Sequence, residues 1–270
     1  MKTLKQHTLI FDGECPMCSM YSSVLVKSGM MDPEDNQAYN EAAKQGLPNV
    51  DWRRARNEIA LLNHRDNSVT YGVKSIVAIL GNNSLALRWL FRIPLVHYLA
   101  EKLYFLISYN RRVIMPGKRS GSPDLCIPEL NYPYRMAYII ATWLFTSVVL
   151  VYYSALLSPF IPDTNFAREF LVAGGPIIFQ GILVSAIQKN KVIHYLGNMM
   201  TISFAGAILL TLPLCISALI HDKFFYLAWF VMVVGLMFIE HIRRVKILEL
   251  PWLVSASWVV YRVIVLLIIL

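Results

Sequence analysis

Five apolar stretches, at roughly residues 137–157, 170–187, 195–220, 224–242 and 252–270, fill the second half of this 270-residue chain. Each is close to the ~20 residues a helix needs to cross a hydrocarbon layer. A backbone in that layer finds no water to bond, so such segments fit a transmembrane helical bundle and little else. The first half carries charges throughout and is long enough to bury one modest core. The expected organisation is a soluble domain over residues 1–117, a linker over 118–135 and a membrane domain of about five helices over 136–270. The linker expectation rests on the Gly, Ser and Pro residues between Pro116 and Pro133.

Lys and Arg indicate the orientation. Arg111, Arg112, Lys118, Arg119 and Arg135 precede the first span, Lys189 and Lys191 follow the second, and Arg243, Arg244 and Lys246 follow the fourth. The alternate loops carry Arg168 and Lys223, each beside an acid, Glu169 and Asp222. The positive-inside rule then puts the N-terminal domain in the cytoplasm and the C-terminus outside, as in an integral protein of the inner or cytoplasmic membrane. Met1–His7 shows neither an apolar region nor a cleavage site, so the N-terminal domain is expected to stay untranslocated. The second stretch is interrupted by Gly174, Gly175, Pro176 and Gly181 and is the candidate for a re-entrant segment. The net charge of +8 is accounted for by inner loops and anionic lipid heads, and makes no case for nucleic acid.

Chemistry concentrates near the N-terminus. Thr8–Phe11 reads as a strand, Gly13 as a turn, and the chain from Pro16 as a helix. Cys15 therefore stands at a helix N-terminus, where N–H groups and the helix dipole favour thiolate. Cys18 lies one turn further in, placed to attack a mixed disulfide formed by Cys15. Cys15 is expected to be the more exposed and more acidic thiol. Cys126, in the linker, and Cys215, in the third span, read as inert and packing cysteines. A zinc site would need His7 or His64 beside the Cys pair, since there is no second Cys-x-x-Cys.

Further along, Pro33–Gln45 reads as a short amphipathic helix and Pro48–Trp52 as an extended piece. Ile59–Asn63 and Val69–Tyr71 form a hairpin, a helix begins near Val73, and Leu85–Ile114 is apolar helix broken at Pro94. This is the thioredoxin-like order of elements.

Asp12-Gly13-Glu14-Cys15-Pro16-Met17-Cys18 resembles the signature of the DCC family, predicted thiol-disulfide oxidoreductases named for an Asp-x-x-Cys-x-x-Cys motif. Asn67–Gly72 leading into Val73–Ile76 is similar to the family's central hairpin and helix, and Trp89, Pro94, Tyr104, Asn110 and Arg111 match its later positions. The resemblance covers about residues 6–116. It implies an α/β thioredoxin-like fold, with Cys15 and Cys18 as the redox pair and Asp12 as the characteristic third residue. Asp12 has two readings, a proton acceptor during exchange or a carboxylate that bonds turn N–H groups.

Within the spans, Arg262 lies about ten residues from either end of the last stretch. It is expected to face the bundle with a partner, either Glu240 or backbone carbonyls and an anionic ligand, while Glu240 and His241 beside Arg243 and Arg244 can also form an interfacial polar cluster. His241, Gln180, His194, Asn198 and His221 complete the polar set. The function expected is that of a membrane-anchored thiol-disulfide oxidoreductase with a cytosolic dithiol, needing no cofactor or resident metal. Its expected partners are the lipid bilayer and a thiol or disulfide protein. The alternative is a membrane binding or transport protein whose thioredoxin-like domain regulates or docks.

Overall fold

The computed structural model describes residues 2–117, 126–158, 160–162 and 164–270. Lys118, Arg119 and the rest of the expected linker up to residue 125 lie outside the described residues. The chain divides into two units, Met1–Tyr134 and Arg135–Leu270.

The N-terminal unit runs β1 (His7–Phe11), α1 (Pro16–Lys27), β2 (Asn36–Ala38), α2 (Tyr39–Gln45), α3 (Trp52–Asn57), β3 (Ala60–Asn63), β4 (Val69–Tyr71), α4 (Val73–Asn83), α5 (Leu85–Leu90) and α6 (Pro94–Ile114). Its four-stranded sheet has the order β2-β1-β3-β4. β1 and β2 are parallel, as an intervening helix requires, with Leu9 opposite Asn36. β3 is antiparallel to β1 and β4, with Leu61 opposite both Leu9 and Thr70. This is the α/β thioredoxin-like arrangement.

Strand alternation sorts the core onto two faces. Leu9 and Leu61 pack with Met31, Ile59 and Ile79 on one. Ile10 and Ala60 pack with Tyr39, Ala42, Ala55 and Cys126 on the other. Thus Cys126 is a core residue of this unit, 2% exposed, and not a solvated linker thiol.

Two local expectations change. Pro33–Gln45 contains a strand as well as a helix, because Asn36–Ala38 docks on β1 at the sheet edge. Three residues without a β-branched side chain carry no strand signal, and only the neighbouring strand makes them one. The extended piece expected at Pro48–Trp52 gives way to α3, whose first turn Asp51 caps by accepting from Arg54 N–H at 3.0 Å.

The C-terminal helices are α7 (Tyr132–Leu156), α8 (Phe166–Gln188), α9 (Val192–Cys215), α10 (Lys223–Ile247) and α11 (Leu253–Ile269). By length and apolarity Tyr132–Leu156, Phe166–Cys215 and Lys223–Ile247 can each cross a membrane, and Leu253–Ile269 is a shorter apolar helix. The 50-residue stretch Phe166–Cys215 is a hairpin. A 3-10 turn at Lys189–Lys191 divides it, and the Tyr195 hydroxyl donates to Gln180 Oε1 at 3.2 Å. Fifteen residues of unbroken helix would hold them roughly 22 Å apart.

Other contacts show which helix ends share a side of the bundle. Lys191 Nζ donates to Leu248 O at 2.7 Å, joining the α8–α9 and α10–α11 turns. Tyr153 Oη donates to Tyr226 O at 2.8 Å, joining the end of α7 to the start of α10.

The glycines of α8 are packing sites and do not interrupt the helix, which continues through Pro176. A Cβ on Gly174 would stand 2.5 Å from the Trp143 ring, and one on Gly175 would collide with the Tyr261 hydroxyl. Small residues let neighbouring helices approach, so a run that looks like a breaker in one dimension is a contact in three.

Candidate functional site

The thiol site is built where β1 hands over to α1. Asp12 ends the strand, and its Oδ1 accepts the Glu14 N–H at 3.2 Å, closing the turn. Cys15 is the N-cap of α1, with Pro16 at the first helical position where no N–H is needed. One turn on, Cys18 returns beneath it. Ligand atoms of Asp12, Cys15 and Cys18 lie within 4.8 Å of one another, and all three residues are buried.

The two sulfurs are unequal. A hydrogen bond from the Cys18 thiol, helped by the Cys18 backbone N–H, lowers the Cys15 pKa to about 6, against burial and the Asp12 charge, which raise it. The Cys18 pKa is pushed far upward by donating that bond and by burial. The expected order of acidity is therefore present in the geometry, but the expected difference in exposure is not: Cys15 is 0% and Cys18 4% exposed. Gly117 is laid against the same turn, so close that a Cβ there would stand 2.6 Å from Glu14 O and 3.2 Å from Pro16 Cδ.

Asp12 is held between two arginines near the end of α6. Arg111 donates through Nε and Nη2 to Oδ2, each at 3.2 Å. Arg112 Nη2 reaches both carboxylate oxygens at 2.9 and 3.0 Å. Arg111 further donates to Asn57 O, Ser108 O, Arg56 O and Cys126 O, so almost every N–H of its fork has an acceptor. Its field favours thiolate at Cys15. Cys126 sits beside it, with the Arg111 Nη2 at 3.9 Å from its sulfur, and burial pushes its pKa up to about 12.

The sequence placed Asp12, Cys15 and Cys18 correctly with respect to one another, and matched Arg111 to the family without assigning it a contact. Arg112 went unassigned. Both arginines carry an orientation signal when read as loop charges, yet they are anchored in the N-terminal unit. Their separation from Asp12 by about a hundred residues leaves no local pattern by which to find them. His64 bonds Thr8 Oγ1 at 2.7 Å and His7 bonds Lys5 O at 2.8 Å, and among the described residues the ligand-type group gathered with the two cysteines is Asp12.

Residues 9–116 match the family model described as DCC1-like thiol-disulfide oxidoreductase. The N-terminal unit is a DCC1-like domain. No curated protein and no solved structure matches the chain. The DCC1-like domain is followed by helices apolar and long enough to cross a membrane, and the chain is a membrane protein.

In the membrane unit Glu240 joins the cluster with Arg243 and Arg244 and does not reach Arg262. Glu240 pairs with Arg243 Nη2 at 2.6 Å and Arg244 Nε at 2.7 Å, and Arg244 Nη1 also donates to Asn198 Oδ1 at 3.0 Å. Arg262 does face the bundle, but it lies over the Trp258 ring at 4.9 Å, and its buried Nε has no hydrogen-bond partner among the described residues. The depth difference along α10 and α11 explains why nearer arginines take the acid. His241 bonds Tyr195 Oη at 2.9 Å and Ser255 Oγ at 3.3 Å.

Proposed function

We propose that the protein is a membrane-anchored thiol-disulfide oxidoreductase whose working pair is Cys15 and Cys18. The supporting observation is the asymmetric dithiol: one sulfur acidic enough to be largely thiolate at neutral pH, hydrogen-bonded by a second that stays protonated. In this reading the Cys15 thiolate attacks a disulfide of a protein partner, forming a mixed disulfide and releasing one partner thiolate. Cys18 then loses its proton, attacks Cys15 and releases the second, leaving a Cys15–Cys18 disulfide. Another thiol system returns the pair to the dithiol. Asp12 acts as a positioning residue that holds Arg111 beside the sulfurs and closes the turn around Cys15. Attack also requires Cys15 to become accessible, since it is fully buried.

The domain is assigned to the cytoplasmic side of an inner or cytoplasmic membrane, with the C-terminus outside after five crossings. Support comes from the Lys/Arg bias of the loops and from Lys191 and Leu248 meeting at one end of the bundle. Two experiments test the proposal. A Cys18→Ser variant purified from cells should carry a mixed disulfide at Cys15, and absence of any such species, together with no Cys15–Cys18 disulfide in glutathione buffers, would refute the redox pair. Reporter fusions at both ends should report opposite sides, and matching sides would refute the topology.

A further inference from the structure

Beside the dithiol lies a cavity of about 360 Å³, bounded by α1, the end of α3 with the turn that follows it, α4 and α6. That is within the size range of small-molecule sites. Cys18 opens onto it and Cys15 does not. Its wall is largely aliphatic, with Leu25, Ile59, Ile76, Ile79 and Leu80 prominent. Its polar lining residues are Asp12, Glu58, Ser108, Arg111 and the two tyrosines Tyr21 and Tyr104, with Cys18 among them. Among the described residues the buried Tyr21 hydroxyl has no nitrogen or oxygen partner and turns only to the Cys18 sulfur, a weak acceptor, which is a cost for a buried hydroxyl. A ligand that offered an acceptor oxygen there, next to the Cys18 sulfur, would remove that cost.

The mouth points to where such a ligand comes from. Val24 and Ile107 line the cavity and are 57% and 40% exposed. Ile107 ends a stripe of exposed apolar residues at four-residue spacing along α6: Leu95, Leu99, Leu103 and Ile107. Beside it Arg92 lies over the exposed Trp89 ring at 5.0 Å and Lys102 over Tyr98 at 5.2 Å. An aliphatic stripe edged by Trp, Tyr and basic residues is the composition of a helix that lies in a membrane interface. The same chain carries the membrane helices, so the bilayer is always at hand.

From this geometry we infer that the cavity is a quinone site, in which the Cys15–Cys18 dithiol reduces a bilayer-dissolved quinone that enters past Val24 and Ile107. A tripeptide thiol or a peptide disulfide brings a run of backbone polar groups, for which the aliphatic part of this wall offers no partner. A quinone is an apolar ring with acceptor oxygens that takes two electrons, the number a dithiol gives. The inference rests on Cys15 and Cys18 being the redox pair. In the step, the S–S bond forms, the Cys18 S–H bond breaks, and one electron pair passes to the quinone. Its two oxygens become hydroxyls with one proton from Cys18 and one from solvent, and Tyr21 donates a hydrogen bond to one of them. The hydroquinone leaves through the same mouth.

The test uses the reduced full chain in lipid nanodiscs and duroquinone, whose fully substituted ring forms no thiol adduct. The inference expects one equivalent of duroquinone to be reduced with formation of the Cys15–Cys18 disulfide. Val24→Glu at the exposed mouth, and independently Leu80→Trp inside, should each slow this by about tenfold or more, equivalent to ~1.4 kcal/mol. Both should leave dithiol–disulfide cycling in glutathione buffer unchanged. A pair that cycles in glutathione but leaves duroquinone oxidised, or two variants that reduce it at the wild-type rate, overturns the quinone site alone. A pair that forms no disulfide in glutathione overturns the underlying redox assignment instead.

Discussion

Replacing Asp12 by Asn should weaken the fold while making Cys15 more acidic, a combination that separates the charge of Asp12 from its shape. The Asp12 side chain is 2% exposed and that of Arg111 5%, so this pair is out of reach of solvent screening. Arg112 is more accessible at 18% and contributes less. The substitution changes the cluster from two cations and one anion to two cations and none, a net change from +1 to +2. Removing one partner of a buried pair costs about 3–5 kcal/mol because a charge is left uncompensated. The asparagine keeps an acceptor oxygen and Arg111 keeps its four backbone carbonyls, so the lower end, ~3 kcal/mol, is expected. At Cys15 the Asp12 charge opposes thiolate, so its loss moves the pKa below about 6. Stability can be followed in the full chain in detergent by alkylation of the buried Cys126 against denaturant, resolved by mass spectrometry. Acidity can be followed by alkylation of Cys15 against pH. A loss under about 1 kcal/mol, the range of exposed pairs, or a Cys15 pKa that rises, would refute the account of the cluster.

Further outcomes follow from the same geometry. Cys18→Ala removes the main cause of the Cys15 shift, so the pH midpoint of Cys15 alkylation should move up from about 6 towards the ordinary cysteine value. Because the folded Cys15 pKa is lowered, the unfolded chain binds the extra proton between pH 6 and 9. Reduced wild type should therefore gain stability over Cys15→Ser as pH rises through that window, and lose the advantage below about 6, as measured by denaturant midpoints. Gly72→Ala should destabilise by about 1–3 kcal/mol, since its φ is +60° and an added Cβ would stand 2.6 Å from Glu58 Oε2. A thermal melt unchanged from wild type would contradict this. Arg262→Leu should leave a folded protein whose thiol exchange is unaltered, because the guanidinium rests on Trp258 with Glu240 engaged elsewhere. Loss of exchange in a folded Arg262→Leu protein would give the membrane unit a part in the chemistry.

Periodicity and local chemistry are enough to reveal much of this protein from its residues alone. Twenty-residue apolar runs can satisfy their backbones only as helices, so the membrane half is legible from hydropathy and length. The turn from Phe11 into Pro16 is legible because strand, turn and helix each have local residue preferences, and the motif between them sets Asp12, Cys15 and Cys18 within one turn. What stays hidden depends on contacts distant in sequence. Asn36–Ala38 is a strand only because β1 lies beside it. Gly174 and Gly175 read as interruptions until Trp143 and Tyr261 fill the space above them. Arg111 and Arg112 read as loop charges until the end of α6 brings them against an aspartate a hundred residues away. The burial of Cys15, the direction in which Cys18 faces and the choice of Glu240 for its nearer arginines are decided in the same way. Each depends on which surfaces meet in space, and side-chain spacing along a chain carries no information about the partner across the gap.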